Sequence, residues 1–130
     1  MITSKLKRLA LAMQEFEGWR TGAEQKPAGM EGSISYRNHN PLNLKGSPFA
    51  LGIRDEHAFF LDDDTGLFAG IWDIHQKCKG LTSTGLSGES TIADLIDIWA
   101  DADAITIQNY QEHIFRRTDL SLATQLKNLI

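Results

Sequence analysis

Residues 36–46 read YRNHNPLNLKG, a polar segment with three asparagines and one proline. Asparagine and proline both favour turns, and asparagine side chains form hydrogen bonds with nearby backbone groups. The segment therefore predicts an ordered turn, or one short helical turn, in which polar side chains converge. We call residues 36–46 the asparagine turn.

An amphipathic helix is predicted before the asparagine turn, with Thr3 or Ser4 available as its N-cap. It should end near Glu17, because Gly18 can adopt the left-handed conformation that closes many helices. Residues 20–35 are polar and glycine-rich, which predicts a loop. The apolar positions of the helix recur at steps of three and four: Ile2, Leu6, Leu9, Met13 and Phe16.

A short β-hairpin is predicted after the asparagine turn. Residues 49–61 have no helical period, and their apolar residues flank the charged sequence Arg54-Asp55-Glu56-His57. A second amphipathic helix should begin after the acidic residues 62–64 and end at Gly80. Its expected apolar stripe contains Leu67, Phe68, Ile71, Trp72, His75 and Cys78.

Further helices are predicted in the rest of the chain. Ser90 or Thr91 caps a third helix, residues 101–104 break it, and the helical pattern resumes over 106–117 and 121–129. The predicted fold class is mainly α, of the α+β type. It is a single small helical domain over residues 1–130, with one short β-hairpin after the first helix.

Composition excludes several classes of protein. The chain has 130 residues, of which 42% are hydrophobic and 23% charged, as in ordinary globular proteins. Its single cysteine, Cys78, excludes an intramolecular disulfide framework and a multi-cysteine zinc site, and we expect it in the core. The four histidines lack a paired helical spacing, so neither a metal site nor a cofactor is predicted. No apolar run is long enough for membrane insertion.

The net charge of −4 argues against nucleic acid as a partner. The charge is unevenly distributed, however. Residues 1–54 contain eight Lys and Arg against four Asp and Glu, whereas residues 55–130 contain five against thirteen. An anionic ligand is therefore expected to meet the first half of the chain.

Glu17 is the first candidate for acid–base chemistry. It follows the first helix and lies between Phe16 and Trp19, where partial desolvation is expected. Desolvation disfavours the ionised form of a carboxyl group, which suits a general acid. The alternative is a solvated surface residue, which is the commoner environment of glutamate.

Two ordered motifs carry a family resemblance. The sequence Glu17-Gly18-Trp19, followed by residues 32–44, resembles a lysozyme-like family of phage and phage-derived bacterial proteins. Those proteins look like soluble lytic transglycosylases and goose-type lysozymes reduced to a minimal domain. The most specific part is Arg-Asn-x-Asn-Pro-x-Asn-Leu, here residues 37–44. His39 replaces an Asn of the pattern, and we expect it to face outward or to form another hydrogen bond. Leu42 replaces a Gly, and it disfavours a left-handed backbone there.

The resemblance implies cleavage of the peptidoglycan glycan strand at a MurNAc–GlcNAc bond, with Glu17 as the general acid. Arg37 is expected to hold a carboxylate beside the cleft, and Trp19 to stack on a sugar or close the core. Tyr110 and the three asparagines could instead have structural roles: Tyr110 could pack in the core, and the asparagines could hold the turn together. The predicted substrate-binding residues are Trp19, Ser35, Tyr36, Arg37, Asn38, Asn40, Asn43 and Tyr110.

The type of cleavage stays open at this stage. A lytic transglycosylase uses the hydroxyl of the sugar itself, whereas an inverting hydrolase needs a second carboxylate to position water. The candidates for that carboxylate are Glu15, Glu24, Glu31, Asp55 and Asp62.

Two alternative functions are kept. The first is a catalytically inactive module on the same fold, either virion-associated or binding the wall glycan. The second is an assembly protein without glycan contact. Virion or tail proteins are conceivable partners. Without a recognisable signal peptide, we expect synthesis in the bacterial cytoplasm and action at the cell wall or periplasm, through a holin, a virion or another secretion device.

Overall fold

The fold is mainly helical with one small antiparallel sheet, as the sequence predicts. The computed structural model describes residues 2–18 and 33–130. Of the predicted loop, residues 34 and 35 open a helix, and residues 20–32 lie outside the described residues. The elements are α1 (Ser4–Phe16), α2 (Ile34–Arg37), β1 (Gly52–Arg54), β2 (His57–Phe59), α3 (Asp63–Cys78), α4 (Ile92–Ala100), α5 (Ala104–Thr118) and a 3-10 helix (Leu126–Leu129).

Helix α1 begins and ends where its sequence predicts. The Thr3 hydroxyl accepts a hydrogen bond from the backbone N–H of Leu6 at 3.1 Å, which caps the first turn. Leu6 is fully buried, as are Leu9 and Met13, so the stripe at steps of three and four forms the inner face. The helix ends at Phe16, and Gly18 follows with φ of +82°. Ile2, expected on the stripe, is 46% exposed because it precedes the first turn.

The predicted hairpin is confirmed, with strands of three residues each. Ile53 pairs with Ala58 in antiparallel register. The two residues between the strands, Asp55 and Glu56, have φ of +55° and +62°, as a type I′ turn requires. Ala58 is fully buried and points away from solvent.

Side-chain caps fix the bounds of the next two helices. The Asp62 carboxylate accepts a hydrogen bond from the N–H of Thr65 at 2.8 Å at the start of α3. Helix α4 begins with a reciprocal capping box between Thr91 and Asp94, so Thr91 is the cap. Asp101, with φ of +44°, ends α4 where the sequence predicts a break.

The last helical prediction is wrong for most of residues 121–129. Only Leu126–Leu129 is helical, as a short 3-10 turn. The preceding carbonyls instead accept hydrogen bonds from the first turn of α4: Thr124 O from Ile92 N and Leu122 O from Ala93 N, both at 3.0 Å. These bonds satisfy donors that a helix start otherwise leaves unpaired, and they hold this segment in a non-helical conformation.

The chain divides into two compact units. The helical unit contains residues 2–12 and 74–130, and the turn-and-hairpin unit contains the described residues of Met13–Asp73. In the helical unit, α4 and α5 bury Leu95, Ile96 and Ile114 completely. Among the helices of the described residues, none is both long enough and apolar enough to cross a membrane.

Cys78, near the end of α3, is a core residue as expected, at 2% exposure. Burial raises the pKa of its thiol to about 11. The thiol therefore stays protonated at neutral pH and is a poor nucleophile.

Candidate active site

The single helical turn of α2 ends within the first two residues of the asparagine turn, and the remaining residues of the turn are non-helical, as the prediction of an ordered turn allows. The Ser33 hydroxyl caps α2 by accepting a hydrogen bond from the N–H of Tyr36 at 3.3 Å. Ser35 is 3% exposed, and its hydroxyl lies 2.9 Å from that of Ser33. The Ser35 side chain therefore contributes to the structure of the turn, and its predicted contact with substrate is not supported.

Asn40 joins the turn to the hairpin. It is fully buried, and its Nδ2 donates to the carbonyl oxygens of Leu44 at 2.8 Å and Ala58 at 2.9 Å. Its Oδ1 accepts from the N–H of Leu44 at 2.9 Å. All three bonds go to backbone groups, so the structure favours the structural alternative for Asn40 over the predicted binding of substrate.

Asn38 makes a second junction with the hairpin, through Arg54. Its Nδ2 donates to the Arg54 carbonyl and its Oδ1 accepts from Arg54 Nε, both at 2.9 Å. Arg54 also donates from Nη2 to the carbonyl of Arg37 at 2.9 Å, and its guanidinium lies 4.6 Å from the centre of the Phe59 ring. Asn38 is fully buried, which again favours holding the turn over contact with substrate.

Arg54 was not predicted from the sequence to belong to the site. Its only signal in the sequence is its position in the charged centre of the predicted hairpin. No spacing rule pairs it with an asparagine sixteen residues earlier. The contact exists because the backbone of the turn also bonds to β2 and to the residue that follows it, through Ala58 N to Leu44 O at 3.0 Å and Phe60 N to Asn38 O at 2.9 Å.

The turn also packs on the glycine face of α3. Leu42 is fully buried, and a Cβ added to Gly70 would lie 2.3 Å from Leu42 Cδ1. His39 and Asn43 adopt the left-handed conformation, with φ of +52° and +56°. Leu42 does not, in agreement with the expectation that its side chain disfavours a left-handed backbone. This packing turns Phe68 outward, at 47% exposure, although the sequence placed it on the buried stripe.

Two polar atoms near the turn are buried without a hydrogen bond to the described residues. They are Nε of Arg37, a donor, and Oδ1 of Asn43, an acceptor. Buried polar groups in native proteins are almost always paired with protein or water. Both side chains are only partly buried as a whole, and both stay candidates for contact with substrate, together with the half-buried Tyr36.

Glu17 lies immediately after α1, within the same unit as the asparagine turn. Its backbone N–H donates to the carbonyl of Met13 at 2.9 Å, which continues the helical pattern to the residue itself. The residue is half-buried, the environment expected of a partly desolvated acid. Trp19 lies outside the described residues.

Tyr110 belongs to α5 in the helical unit, where it is 1% exposed. Such burial favours the core-packing alternative, because the ring offers almost no surface to a ligand. The structure therefore does not support the predicted contact between Tyr110 and substrate.

The candidates for a second carboxylate are all exposed where the structure describes them. Glu15 is on α1, and Asp55 is in the hairpin turn. Hydrogen bonds from Thr65, with a smaller contribution from the charge of His39, hold the pKa of the Asp62 carboxyl below its usual range. Asp62 therefore stays ionised and is not a proton donor. Glu24 and Glu31 lie outside the described residues.

Within residues 2–18 and 33–130, no group of three or more His, Cys, Asp or Glu side chains is arranged to hold a metal ion. Comparison of the chain with protein-family models, with curated proteins and with solved structures found no match. The resemblance to lysozyme-like proteins stays a prediction from the sequence motifs.

Proposed function

We propose that the protein cleaves the glycan strand of peptidoglycan at a MurNAc–GlcNAc bond, with Glu17 as the general acid. The observation that carries the proposal is the position of Glu17. It is a half-buried carboxyl group at the end of α1, in the same compact unit as a turn that two buried asparagines fix to a hairpin. The motif resemblance supplies the substrate class.

The reaction needs a proton on the leaving oxygen while positive charge develops at the anomeric carbon. Glu17 gives its proton to the glycosidic oxygen as the bond breaks. Attack by the sugar's own hydroxyl yields an anhydro end, and attack by water yields a reducing end. The proposal covers both outcomes.

The observed hydrogen bonds divide the predicted site residues into two groups. Asn38 and Asn40 position the asparagine turn, since their side chains bond to backbone groups and to Arg54. Arg37 and Asn43 carry the recognition of sugar hydroxyl, acetamido or carboxylate groups, because each has a polar atom without a described partner.

The test is digestion of isolated cell walls by the purified protein, with the released fragments analysed by mass. Wild type should release muropeptide fragments with either anhydro or reducing ends. Glu17→Gln, which keeps the shape but removes the acid, should lower the rate by about 100-fold or more.

A matched control is Glu112→Gln, the same chemical change at an exposed position of α5. It should keep the wild-type rate. Saturable wall binding without any fragment would instead favour the non-catalytic wall-binding module. Equal release by wild type and Glu17→Gln would refute the assignment of the acid.

A further inference from the structure

Arg54 is an exposed arginine whose side chain is nevertheless held in one position. Its Nε donates to Asn38 Oδ1 and its Nη2 to the carbonyl of Arg37, both at 2.9 Å. The Arg54 carbonyl accepts from Asn38 Nδ2 at 2.9 Å, so the backbone and the side chain bond to the same buried asparagine. A free arginine side chain samples many rotamers, and ordering it on binding costs conformational entropy. The fold has already ordered Arg54.

The ring of Phe59 supports the guanidinium on one side, with its centre 4.6 Å from Cζ of Arg54. Phe59 is directly opposite Gly52 in the hairpin, and it shares a face of the sheet with Arg54, two residues further along β1. A Cβ added to Gly52 would lie 2.9 Å from Cε1 of Phe59. The glycine therefore leaves room for the ring to lie across β1 and under the guanidinium.

These contacts occupy only one edge of the guanidinium. Its N–H groups form two forks, each of which matches the two oxygens of a carboxylate. The fork of Nε and Nη2 is occupied by the asparagine turn. The second fork consists of an N–H of Nη1 and the other N–H of Nη2, and no described residue accepts a hydrogen bond from it. Arg54 thus presents a free and already oriented pair of donors.

Charged residues of both signs surround Arg54. Arg37 accepts a hydrogen bond from it through the backbone carbonyl. His57, directly opposite Arg54 in the hairpin, has its Nδ1 2.8 Å from the carbonyl of Asp55. Asp55 and Glu56 are the exposed acids of the hairpin turn, and among the residues that the structure describes neither forms an ion pair with Arg54. The second fork is therefore left for an anion from outside the chain.

A carboxylate fits this second fork better than a neutral sugar group does. Two parallel N–H groups match its two oxygens, and hydrogen bonds between ionised partners are roughly twice as strong as those between neutral ones. Peptidoglycan carries carboxylates on its peptides, and on the lactyl group of muramic acid where the peptide is absent. The excess of Lys and Arg in residues 1–54 favours an anion on this part of the chain.

We propose that Arg54 binds a carboxylate of peptidoglycan through the fork of Nη1 and Nη2. The inference rests on the proposed function, which supplies the wall as the ligand. Arg54 acts as a binding contact and takes no part in breaking the glycosidic bond. Because its guanidinium is ordered before the ligand arrives, less conformational entropy is lost on binding. The lactyl group and the peptide offer the same chemistry, and the experiment distinguishes them.

The first test uses the wild-type protein and two soluble probes in an NMR titration. N-acetylmuramic acid carries the lactyl carboxylate, whereas N-acetylmuramoyl-L-alanyl-D-isoglutamine carries a carboxylate at the end of its peptide. Each acid is compared with its carboxamide, which has nearly the same shape but no charge. The acid of the recognised source should bind about fivefold more tightly than its amide, and it should shift the guanidinium signals of Arg54. Equal affinity of acid and amide for both probes would overturn the inference.

The second test replaces the fork. Arg54→Lys keeps the positive charge but cannot hold both oxygens of a carboxylate, so the acid should bind about fivefold more weakly, as its amide does. Arg116→Lys is the matched control, because Arg116 is an exposed arginine of α5 that pairs only with Glu112 among the described residues. It should keep the wild-type affinity for the acid.

Wall digestion separates binding from a purely structural role. Arg54→Lys should raise the half-saturating wall concentration and leave the maximal rate unchanged. A lower maximal rate with the preference for acid over amide retained would overturn the inference, since Arg54 would then only hold the turn. If Arg54→Lys does not fold, the acid and amide titrations of wild type decide alone.

The two proposals fail in different ways. Fragment release by wild type without any preference for acid over amide would overturn the role of Arg54 and leave the proposed function intact. A preference for the acid with shifted Arg54 signals, but no fragments from walls, would support the carboxylate site and overturn the proposed cleavage.

Discussion

Replacing Asn40 by alanine removes the junction between the asparagine turn and the hairpin. The change deletes three hydrogen bonds and leaves two buried backbone groups without a partner, the N–H of Leu44 and the carbonyl of Ala58. The Leu44 carbonyl keeps its bond from Ala58 N. An unpaired buried group costs about 1–3 kcal/mol, so the free energy of unfolding should fall by about 4 kcal/mol.

Urea unfolding followed by far-ultraviolet circular dichroism measures this loss. With a slope of about 2 kcal/mol per molar urea, the midpoint of Asn40→Ala should fall by about 2 M at an unchanged slope. Asn40→Asp should lose more stability at neutral pH than in acid, because only the protonated carboxyl can donate to a carbonyl oxygen.

Asn43→Gly is the matched control within the same turn. Glycine adopts the left-handed φ of +56°, and the Asn43 Oδ1 has no described partner to lose. Its free energy of unfolding should change by less than about 1 kcal/mol. A loss below 1 kcal/mol for Asn40→Ala as well would refute the structural role given to Asn40.

Three further predictions concern stability and reactivity. Gly66→Ala should lower the free energy of unfolding by about 3 kcal/mol or more, since the added Cβ would clash with the His39 carbonyl. Gly46→Ala is the control, because the space around Gly46 is open, and it should leave the free energy of unfolding nearly unchanged in the same urea experiment. Thr91→Ala should cost about 1 kcal/mol by loss of the α4 cap, and an unchanged urea midpoint would contradict this. Burial raises the pKa of the Cys78 thiol from 9.0 to about 11, so the unfolded chain loses the thiol proton at lower pH than the folded chain does. The free energy of unfolding should therefore fall as the pH rises from about 9 to about 11. Cys78→Ala should remove that part of the decline.

Helix bounds were predictable because their signals are local. Thr3 and Thr91 cap helices with their own side chains, and Gly18 follows α1 in a conformation that glycine favours. Residues 121–129 and Phe68 were not predictable in this way. The first segment is held by hydrogen bonds to α4, and the second is turned outward by the packing of Leu42 on Gly70.

The site was predictable from the sequence to the same extent: its local signals could be recognised, and its contacts between distant segments could not. Composition and spacing drew attention to the asparagine turn, and the turn exists. An asparagine amide can bond equally to a sugar or to the backbone, so the roles of Asn38 and Asn40 depended on where the hairpin lies. Arg54 and the Asp63 carboxylate beside His39 come from later in the chain, and only the folded arrangement brings them to the turn.

The most direct test of the proposed function is the initial rate of fragment release from isolated cell walls by wild type, Glu17→Gln and Glu112→Gln at equal concentrations. Circular dichroism should first establish that the three proteins have the same helical content. We expect equal rates for wild type and Glu112→Gln, and a rate at least about 100-fold lower for Glu17→Gln. Equal release by all three, or no release by wild type, would contradict Glu17 as the acid of a glycan-cleaving enzyme.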